Sequence, residues 1–154
     1  MTATRVPRQA IDGVLLLDKP GGISSQTAVT RVKTLFNAAK AGHTGTLDPM
    51  ATGLLPVVLG EASKFSSTLL DASKAYLATI RLGVTTTSGD LEGEVTGRSA
   101  VGVDAACVEA VLAQFRGEIV QTPPMYSALK HAGKPLYQYA REGIEIERAT
   151  RRVT

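Results

Sequence analysis

A glycine-rich polar segment runs directly into an apolar one, and this junction constrains the fold of the chain more than any other feature. Residues 42–53 read GHTGTLDPMATG, and residues 54–59 read LLPVVL. Glycines and an Asp-Pro pair favour turns, whereas a short apolar run bounded by turn residues is typical of a buried strand. The junction therefore predicts a tight loop, carrying a histidine and the carboxylate of Asp48, at the edge of a hydrophobic core.

The remaining sequence alternates between strand and helix patterns. Apolar runs or alternation predict strands at residues 14–17, 76–82, 119–120 and 144–146, and the first of these is expected to be buried on both faces. Apolar residues at helical spacing predict helices over residues 24–36, 61–70 and 104–115, and residues 85–93 predict a polar surface loop. Mixed elements of this kind predict an α+β (mixed α/β) fold.

The first and third helices are each expected to bury an apolar stripe. Ser24 or Ser25 is expected to cap the first helix. Its stripe consists of Ala28, Val29, Val32, Leu35 and Phe36. Asp104 is expected to cap the third helix, whose stripe consists of Val108, Val111, Leu112 and Phe115. The single cysteine, Cys107, falls on the apolar face of this third helix, so we expect a buried structural thiol.

Composition narrows the possible functions. A hydrophobic content of 44% supplies enough apolar residues for a core, whereas an aromatic content of 5% argues against a large stacking platform for single strands. A net charge of +3 is compatible with a polyanionic partner without requiring one. Residues 1–10 are polar and are expected to form a disordered tail without the apolar core of a signal peptide. A lone cysteine and the lack of a run long enough to span a bilayer then predict a cytoplasmic protein that does not enter a membrane.

Asp48 has two interpretations on the residues alone. An aspartate before proline often only caps a turn. A lone carboxylate on a rigid loop can also act as a nucleophile or general base. The loop lacks the Gly-Lys-Ser/Thr ending of a phosphate-binding P-loop, and neither histidine, His43 or His131, has a second ligand at metal-binding spacing. The residues therefore predict no metal site.

The loop and its surroundings resemble a known family. GHTGTLDP at residues 42–49, continuing as ATGLLP at 51–56, is similar to the catalytic motif of the TruB family, the bacterial tRNA pseudouridine synthases that act on the T-loop uridine. Four further stretches match in order: GVLLLDKP at 13–20, GEASKF at 60–65, KAY at 74–76 and PPMYSALK at 123–130. The resemblance runs from residue 11 to the end. It implies a catalytic domain with a central mixed, mostly antiparallel sheet flanked by helices.

The resemblance also implies a reaction and the residues that perform it. The N-glycosidic bond of a flipped-out uridine is broken, the base rotates, and a C–C bond forms to its C5, with no cofactor. Asp48 would attack the ribose C1′, attack the base or abstract a sugar proton. Tyr76 would stack on the uracil, and its hydroxyl would be placed to serve proton transfer at C5. His43 and its neighbours Gly42 and Thr44 would contact the RNA around the flipped base.

Positively charged residues complete the implied RNA-binding surface. Lys19 and Lys64 would lend charge near the active-site cleft. Within residues 122–143, a stretch that interleaves basic and aromatic residues, Lys130, Lys134 and Arg141 would grip the phosphates of the tRNA T-arm. The alternative interpretation of this stretch is a solvated basic hairpin with Leu136 and other side chains packed beneath it.

Family members continue well past residue 154. The resemblance implies that the missing part holds a strand motif whose arginine pairs with the catalytic carboxylate, and a small RNA-binding domain. We therefore expect residues 11–154 to form a C-terminally truncated, monomeric catalytic domain that binds the tRNA T-arm. The alternative is a non-catalytic tRNA-binding or RNA-folding module. A guide-RNA-dependent relative shares the Asp loop, but the T-arm stretch favours the stand-alone type.

Overall fold

The predicted loop-to-strand junction leads into the central strand of a three-stranded antiparallel sheet. The computed structural model describes residues 6–70 and 72–154. In it, β1 (Gly13–Lys19) and β2 (Ala41–His43) flank the central strand β3 (Gly53–Leu59). Lys19 pairs with Gly53, so β1 ends where β3 begins. The turn after β1 and the loop before β3, residues 44–52, therefore lie at the same edge of the sheet. We call residues 44–52 the Asp48 loop.

Helix α1 (Ser25–Leu35) covers one face of this sheet. Its cap is Ser24, whose Oγ accepts a hydrogen bond from the Thr27 amide, which settles the choice between the two serines. The core under the helix is apolar throughout. It contains Ala28, Val29, Val32, Ala38, Leu55, Val57 and Leu59. Each fully buried valine or leucine in such a core contributes about 1.5–3 kcal/mol.

Leu35 and Phe36 do not join this core, contrary to the predicted stripe. They are 80% and 40% exposed. The chain reverses at Asn37, whose φ of 48° lies in the left-handed region, and the fully buried Ala38 then fills the core. The reversal turns the last helical residues outward.

The prediction that residues 14–17 are buried on both faces is also wrong. Val14 and Leu16 are 52% and 68% exposed, and Leu54 on β3 is 63% exposed. Leu15 and Leu17 pack against the core on the helix side. The apolar run thus serves two faces with different environments, one under α1 and one open.

The segment after β3 forms helix in two pieces. A 3-10 helix (Gly60–Phe65) leads into α2 (Ser66–Leu70), in place of the single helix predicted over 61–70. The disorder expected over residues 1–10 does not extend to Gln9. The Gln9 amide donates to the Asn37 carbonyl and the Gln9 carbonyl accepts the Ala39 amide, both at 2.8 Å. Residues 1–5 of that tail lie outside the described residues. The chain divides into two compact units, Met1–Leu77 and Ala78–Thr154.

The predicted strand at residues 76–82 is not formed. Tyr76 is 72% exposed and Ile80 is 74% exposed. No strand in the described part of the chain pairs with this segment. An alternating sequence gives a strand only where a neighbouring strand accepts its backbone hydrogen bonds.

The second unit consists of short antiparallel strand pairs, two α-helices and a 3-10 helix (Ala113–Phe115) that follows α3. In chain order its elements are β4 (Val84–Thr86), β5 (Val95–Arg98), α3 (Ala105–Leu112), β6 (Ile119–Gln121), β7 (Lys130–His131), β8 (Lys134–Pro135), α4 (Leu136–Arg141) and β9 (Arg151–Val153). The pairs are β4 with β5, β6 with β9, and β7 with β8. The strand at 119–120 is confirmed, and the strand expected at 144–146 lies instead at β9, where β6 provides a partner. The fold is α+β with small antiparallel sheets.

Helix α3 leaves its predicted core stripe uncovered. Val111, Leu112 and Phe115 are 53%, 41% and 64% exposed. Cys107 is exposed as well, so the expected buried thiol is wrong. Asp104 does cap the helix, because its Oδ1 accepts the Cys107 amide at 2.8 Å. The predicted cap is therefore confirmed, whereas most of the apolar stripe is exposed. In the part of the chain that the structure describes, no helix has the length and apolar character to cross a membrane.

Candidate active site

A cleft of about 880 Å³ opens beside the Asp48 loop, within the first unit. It is lined by the Asp48 loop, the start of β3, one residue of β1 and the segment after α2. The lining residues are Leu16, 44–48, 50–56, Leu69 and 72–77. Three of them carry titratable side chains: Asp48, Lys74 and Tyr76. We call this the Asp48 cleft.

One wall of the Asp48 cleft is apolar. It is formed by Leu16 and Leu54, the exposed leucines on the face of the sheet that α1 does not cover. Leu69 and Leu77 add further apolar surface. This accounts for the unbroken apolar sequence of β1 and β3, since one face needs a core and the other lines a cleft. Apolar walls with a few polar groups are typical of sites that bind a small organic ligand.

The Asp48 carboxylate is exposed and uncommitted. Its oxygens take part in no hydrogen bond or ion pair with the described residues, while its backbone carbonyl accepts the Ala51 amide at 3.0 Å. The preceding residue, Leu47, packs against the core. A carboxylate free of internal partners, on a backbone anchored from below, remains available as a nucleophile or base.

Lys19 supports this loop from inside the protein. The side chain is fully buried, and Nζ donates to the carbonyls of Pro20 at 2.9 Å, Ile23 at 2.8 Å and Pro49 at 3.3 Å. An ammonium has three protons, so its donors are matched to three acceptors. This corrects the assignment of Lys19 to the RNA-binding surface, because a buried ammonium offers no surface to a phosphate. Lys19 instead ties the turn after β1 to the Asp48 loop.

His43 and Thr44 stand at the end of β2, and the structure places them differently. His43 is half-buried and lies outside the lining of the cleft, and its Nδ1 contacts the Gly45 carbonyl at 2.5 Å. A carbonyl only accepts, so Nδ1 carries the proton. Thr44 lines the cleft, is 2% exposed, and its Oγ1 has no hydrogen-bond partner among the described residues. Gly45 has a φ of 116°, which a residue with a side chain rarely adopts.

Tyr76 and Lys74 line the cleft from the segment after α2. Tyr76 is 72% exposed, so its ring is free to meet a ligand. Lys74 Nζ donates to the carbonyls of Leu70 at 2.5 Å and Ala72 at 2.9 Å. Sequence reasoning used Lys74 only as part of a matching motif and missed it as a site residue. The signal was its place two residues before Tyr76.

The other predicted lysine, Lys64, lies outside the lining of the cleft. Its side chain is 69% exposed and pairs with Glu61 one turn earlier. Exposed ion pairs of this kind contribute about 0–1 kcal/mol. Gly42, also predicted to touch the RNA, sits in β2 opposite Val58 and does not line the cleft either.

The basic stretch at residues 122–143, here called the clasp segment, lies in the second unit. Lys134 pairs with Glu142 and stands 4.5 Å above the Tyr139 ring. Arg141 lies 5.3 Å from the Tyr137 ring centre. Leu136 is 4% exposed beneath them, as the hairpin interpretation expected. Lys130 is exposed and forms no ion pair with the described residues.

The comparison with protein families decides the affiliation. Residues 33–154 match the profile of the TruB family pseudouridylate synthase N-terminal domain. The chain belongs to the TruB family. The profile contains the Asp48 loop, Tyr76 and the clasp segment, so the resemblance recognised in the sequence is confirmed.

Similar TruB proteins carry the name tRNA pseudouridine synthase B. The protein of that name from Chromobacterium violaceum is 64% identical over 154 residues, which are 100% of this chain and 50% of that protein. The one from Azoarcus sp. is 61% identical over 150 residues, covering 97% of this chain and 50% of that protein. The chain therefore spans about half the length of the curated relatives it matches.

Solved structures show the same fold in part. A chain in the crystal structure of a Cbf5-Nop10-Gar1 complex aligns with a TM-score of 0.52 at 31% identity, over 77% of this chain and 31% of that one. A chain in the archaeal box H/ACA sRNP Nop10-Cbf5 complex aligns with a TM-score of 0.52 at 36% identity, over 77% and 33%. Among the described residues of this TruB chain, no group of three or more His, Cys, Asp or Glu side chains could hold a metal ion.

Proposed function

We propose that this chain carries the catalytic loop for the isomerisation of uridine to pseudouridine in the T-loop of tRNA, with Asp48 as the essential carboxylate. One observation supports this above the others: an uncommitted carboxylate at the rim of an apolar cleft that a tyrosine also lines. The relatives named tRNA pseudouridine synthase B supply the reaction and the substrate class.

The reaction needs few groups, and the Asp48 cleft offers them. The bond from N1 of uracil to C1′ breaks, a bond from C5 to the same carbon forms, and the proton on C5 leaves while N1 gains one. The product is an isomer, so neither an oxidant nor water is consumed. Asp48 can open this sequence by attacking C1′, by attacking the base or by removing a sugar proton. All three routes need an ionised carboxylate within reach of the nucleoside.

The base must leave its stack before it reacts, which costs a few kcal/mol. The apolar wall and the Tyr76 ring would receive it, and stacking on an aromatic ring returns about 1–3 kcal/mol per base. His43, half-buried beside the loop, would contact the RNA around the vacated position, while its neighbours Gly42, in β2, and Thr44, 2% exposed, would hold it in place. Lys64 would add positive charge outside the cleft.

The clasp segment would hold the T-arm in the proposed complex. Lys130 is free to meet a phosphate, whereas Lys134 and Arg141 have internal partners. A phosphate must therefore displace Glu142 from Lys134. The contact between the phosphate and Lys134 would be weaker than one made by a lysine without an ion-pair partner. We propose that residues 11–154 act as part of a monomeric, cytoplasmic tRNA-modifying enzyme.

A second candidate function rests on the environment of Asp48. No cationic side chain pairs with it in the described residues, and preorganised charge usually contributes the largest share of catalysis. Without a cation the chain would bind tRNA, and release or reshape it, without turnover. This is the non-catalytic tRNA-binding alternative.

Tritium release from C5-labelled uridine in a T-arm stem-loop tests both functions. The wild-type chain should release tritium, and Asp48→Asn should not, while both bind the RNA with equal affinity. Glu109→Gln removes an exposed carboxylate that pairs with Arg116 and is the charge-matched control. Equal release by wild type and Asp48→Asn would refute the catalytic role. Salt-sensitive binding without release by the wild type would favour the binding module.

A further inference from the structure

Ser25 contacts the Asp48 loop in a way that no function described above requires. Its side chain is 3% exposed, at the first residue of α1. Its Oγ donates to the Leu47 carbonyl and accepts from the Leu47 amide, both at 3.0 Å. One hydroxyl therefore satisfies both backbone groups of the residue immediately before Asp48.

The residue after Asp48 is held as well. The Pro49 carbonyl accepts the Gly22 amide at 2.8 Å and Lys19 Nζ at 3.3 Å. Asp48 thus projects from a backbone fixed on both sides by residues 19–25, which lie between β1 and the first turn of α1. Leu47 adds a third restraint, since its side chain packs against the core.

We propose that Ser25 is a positioning residue for Asp48, acting through the Leu47 backbone and not through contact with substrate. This inference rests on the proposed function of Asp48. A buried hydroxyl that makes two hydrogen bonds has one favoured orientation. It therefore restricts the motion of the Leu47 backbone and, with it, of the adjacent Asp48. A misplacement of about 1 Å at a reacting group costs about a hundredfold in rate.

The adjacent serine provides a matched control. Ser24 differs from Ser25 by one position, yet its Oγ bonds Thr27 and makes no bond to the Asp48 loop. Ser24→Ala removes the helix cap, and Ser25→Ala removes the link to Leu47. Both variants delete one hydroxyl at the start of α1, but Ser24 is exposed and Ser25 is buried, so the free energy of unfolding of each variant is measured beside its rates.

Amide hydrogen exchange of the intact chain is the first measurement. In Ser25→Ala the Leu47 amide should exchange at least about tenfold faster than in wild type, since a buried donor has lost its acceptor. The Thr44 amide, which bonds the Pro56 carbonyl at 3.1 Å, should keep its rate and shows that the sheet is intact. In Ser24→Ala the Leu47 amide should stay at the wild-type rate. Unchanged Leu47 exchange in Ser25→Ala overturns the proposal.

Steady-state tritium release is the second measurement. Ser25→Ala should lower kcat about tenfold to a hundredfold with KM within about twofold, whereas Ser24→Ala should leave both near wild type. Equal kcat in the two variants would overturn the positioning role. A wild-type chain that gives no Asp48-dependent release refutes the proposed function in this chain, and the exchange experiment then decides the Ser25 inference alone.

Discussion

Gly60 gives the sharpest stability prediction. It joins β3 to the 3-10 helix with a φ of 53°, and a Cβ built there would lie 2.1 Å from Asp12 Oδ1 and 2.5 Å from the Ile11 carbonyl. The left-handed conformation costs a residue with a side chain about 1–2 kcal/mol. Asp12 can swing away only by giving up its 2.7 Å bond to the Glu61 amide, a capping interaction of about 1 kcal/mol. The Ile11 carbonyl is backbone, and moving it disturbs the start of β1.

We therefore expect Gly60→Ala to lower the free energy of unfolding of the first unit by about 3 kcal/mol or more. The assay is urea unfolding followed by the methyl NMR signals of the buried Val57 and Leu59. With a slope of about 1 kcal/mol/M, the midpoint falls by about 3 M. Gly22→Ala is the control, because Gly22 has a φ of 81° and a Cβ added there would meet no atom within 4 Å, so only the conformational cost applies.

The double variant separates the two contacts. Asp12→Ala removes the carboxylate, so in Asp12→Ala/Gly60→Ala only the clash with the Ile11 carbonyl and the conformational cost remain. The combined loss should be smaller than the sum of the single losses by about 1 kcal/mol. A Gly60→Ala loss equal to that of Gly22→Ala would refute the reasoning, since it would mean that the close contacts at Gly60 relax without cost.

Three further outcomes are expected. Lys74→Gln should reduce the slope of log affinity for T-arm RNA against log salt by about one. Two of the three Nζ protons of Lys74 bond carbonyls, so one is left for a phosphate. Arg31→Gln, at an exposed position on α1, should leave this slope unchanged. Lys19→Met should lower stability in urea by about 1–3 kcal/mol, since two strong hydrogen bonds outweigh the relief of desolvation; equal stability would contradict this. The hydrogen bond from Ser88 lowers the pKa of Asp90 below its ordinary value. The stability that this hydrogen bond contributes is therefore present above about pH 4 and is lost as the pH falls through the lowered pKa. Ser88→Ala should raise that pKa in an NMR titration.

The sequence predicted correctly those elements whose conformation depends on neighbouring residues in the chain. The Asp48 loop, β3 and the cap at Asp104 follow from glycine, proline, a capping residue and a short apolar run. The predicted strand at residues 76–82 and the predicted buried stripe of α3 were wrong. Periodicity indicates which face of an element is apolar, but it does not show whether another element packs against that face. The same limit explains Cys107, whose helix face stays open.

The sequence did not predict that Lys19 and Ser25 support the Asp48 loop, for a different reason. Lysine is almost always exposed, so composition assigns Lys19 to the surface, and only the meeting of three carbonyls at one point makes its burial tolerable. Ser24 and Ser25 are identical neighbours with equal capping propensity. Which one faces the helix amide and which one faces Leu47 depends on how the turn after β1 packs against a loop more than twenty residues away.

All supports of Asp48 described above come from an early stretch of the chain, from Lys19 to the core residue Leu59. A ribosome adds about 5–20 residues per second, and N-terminal segments fold first. The sheet, α1 and the bonds that hold the loop can therefore be complete several seconds before β9 leaves the ribosome. The Asp48 loop would therefore take its shape on the nascent chain before the clasp segment has been synthesised.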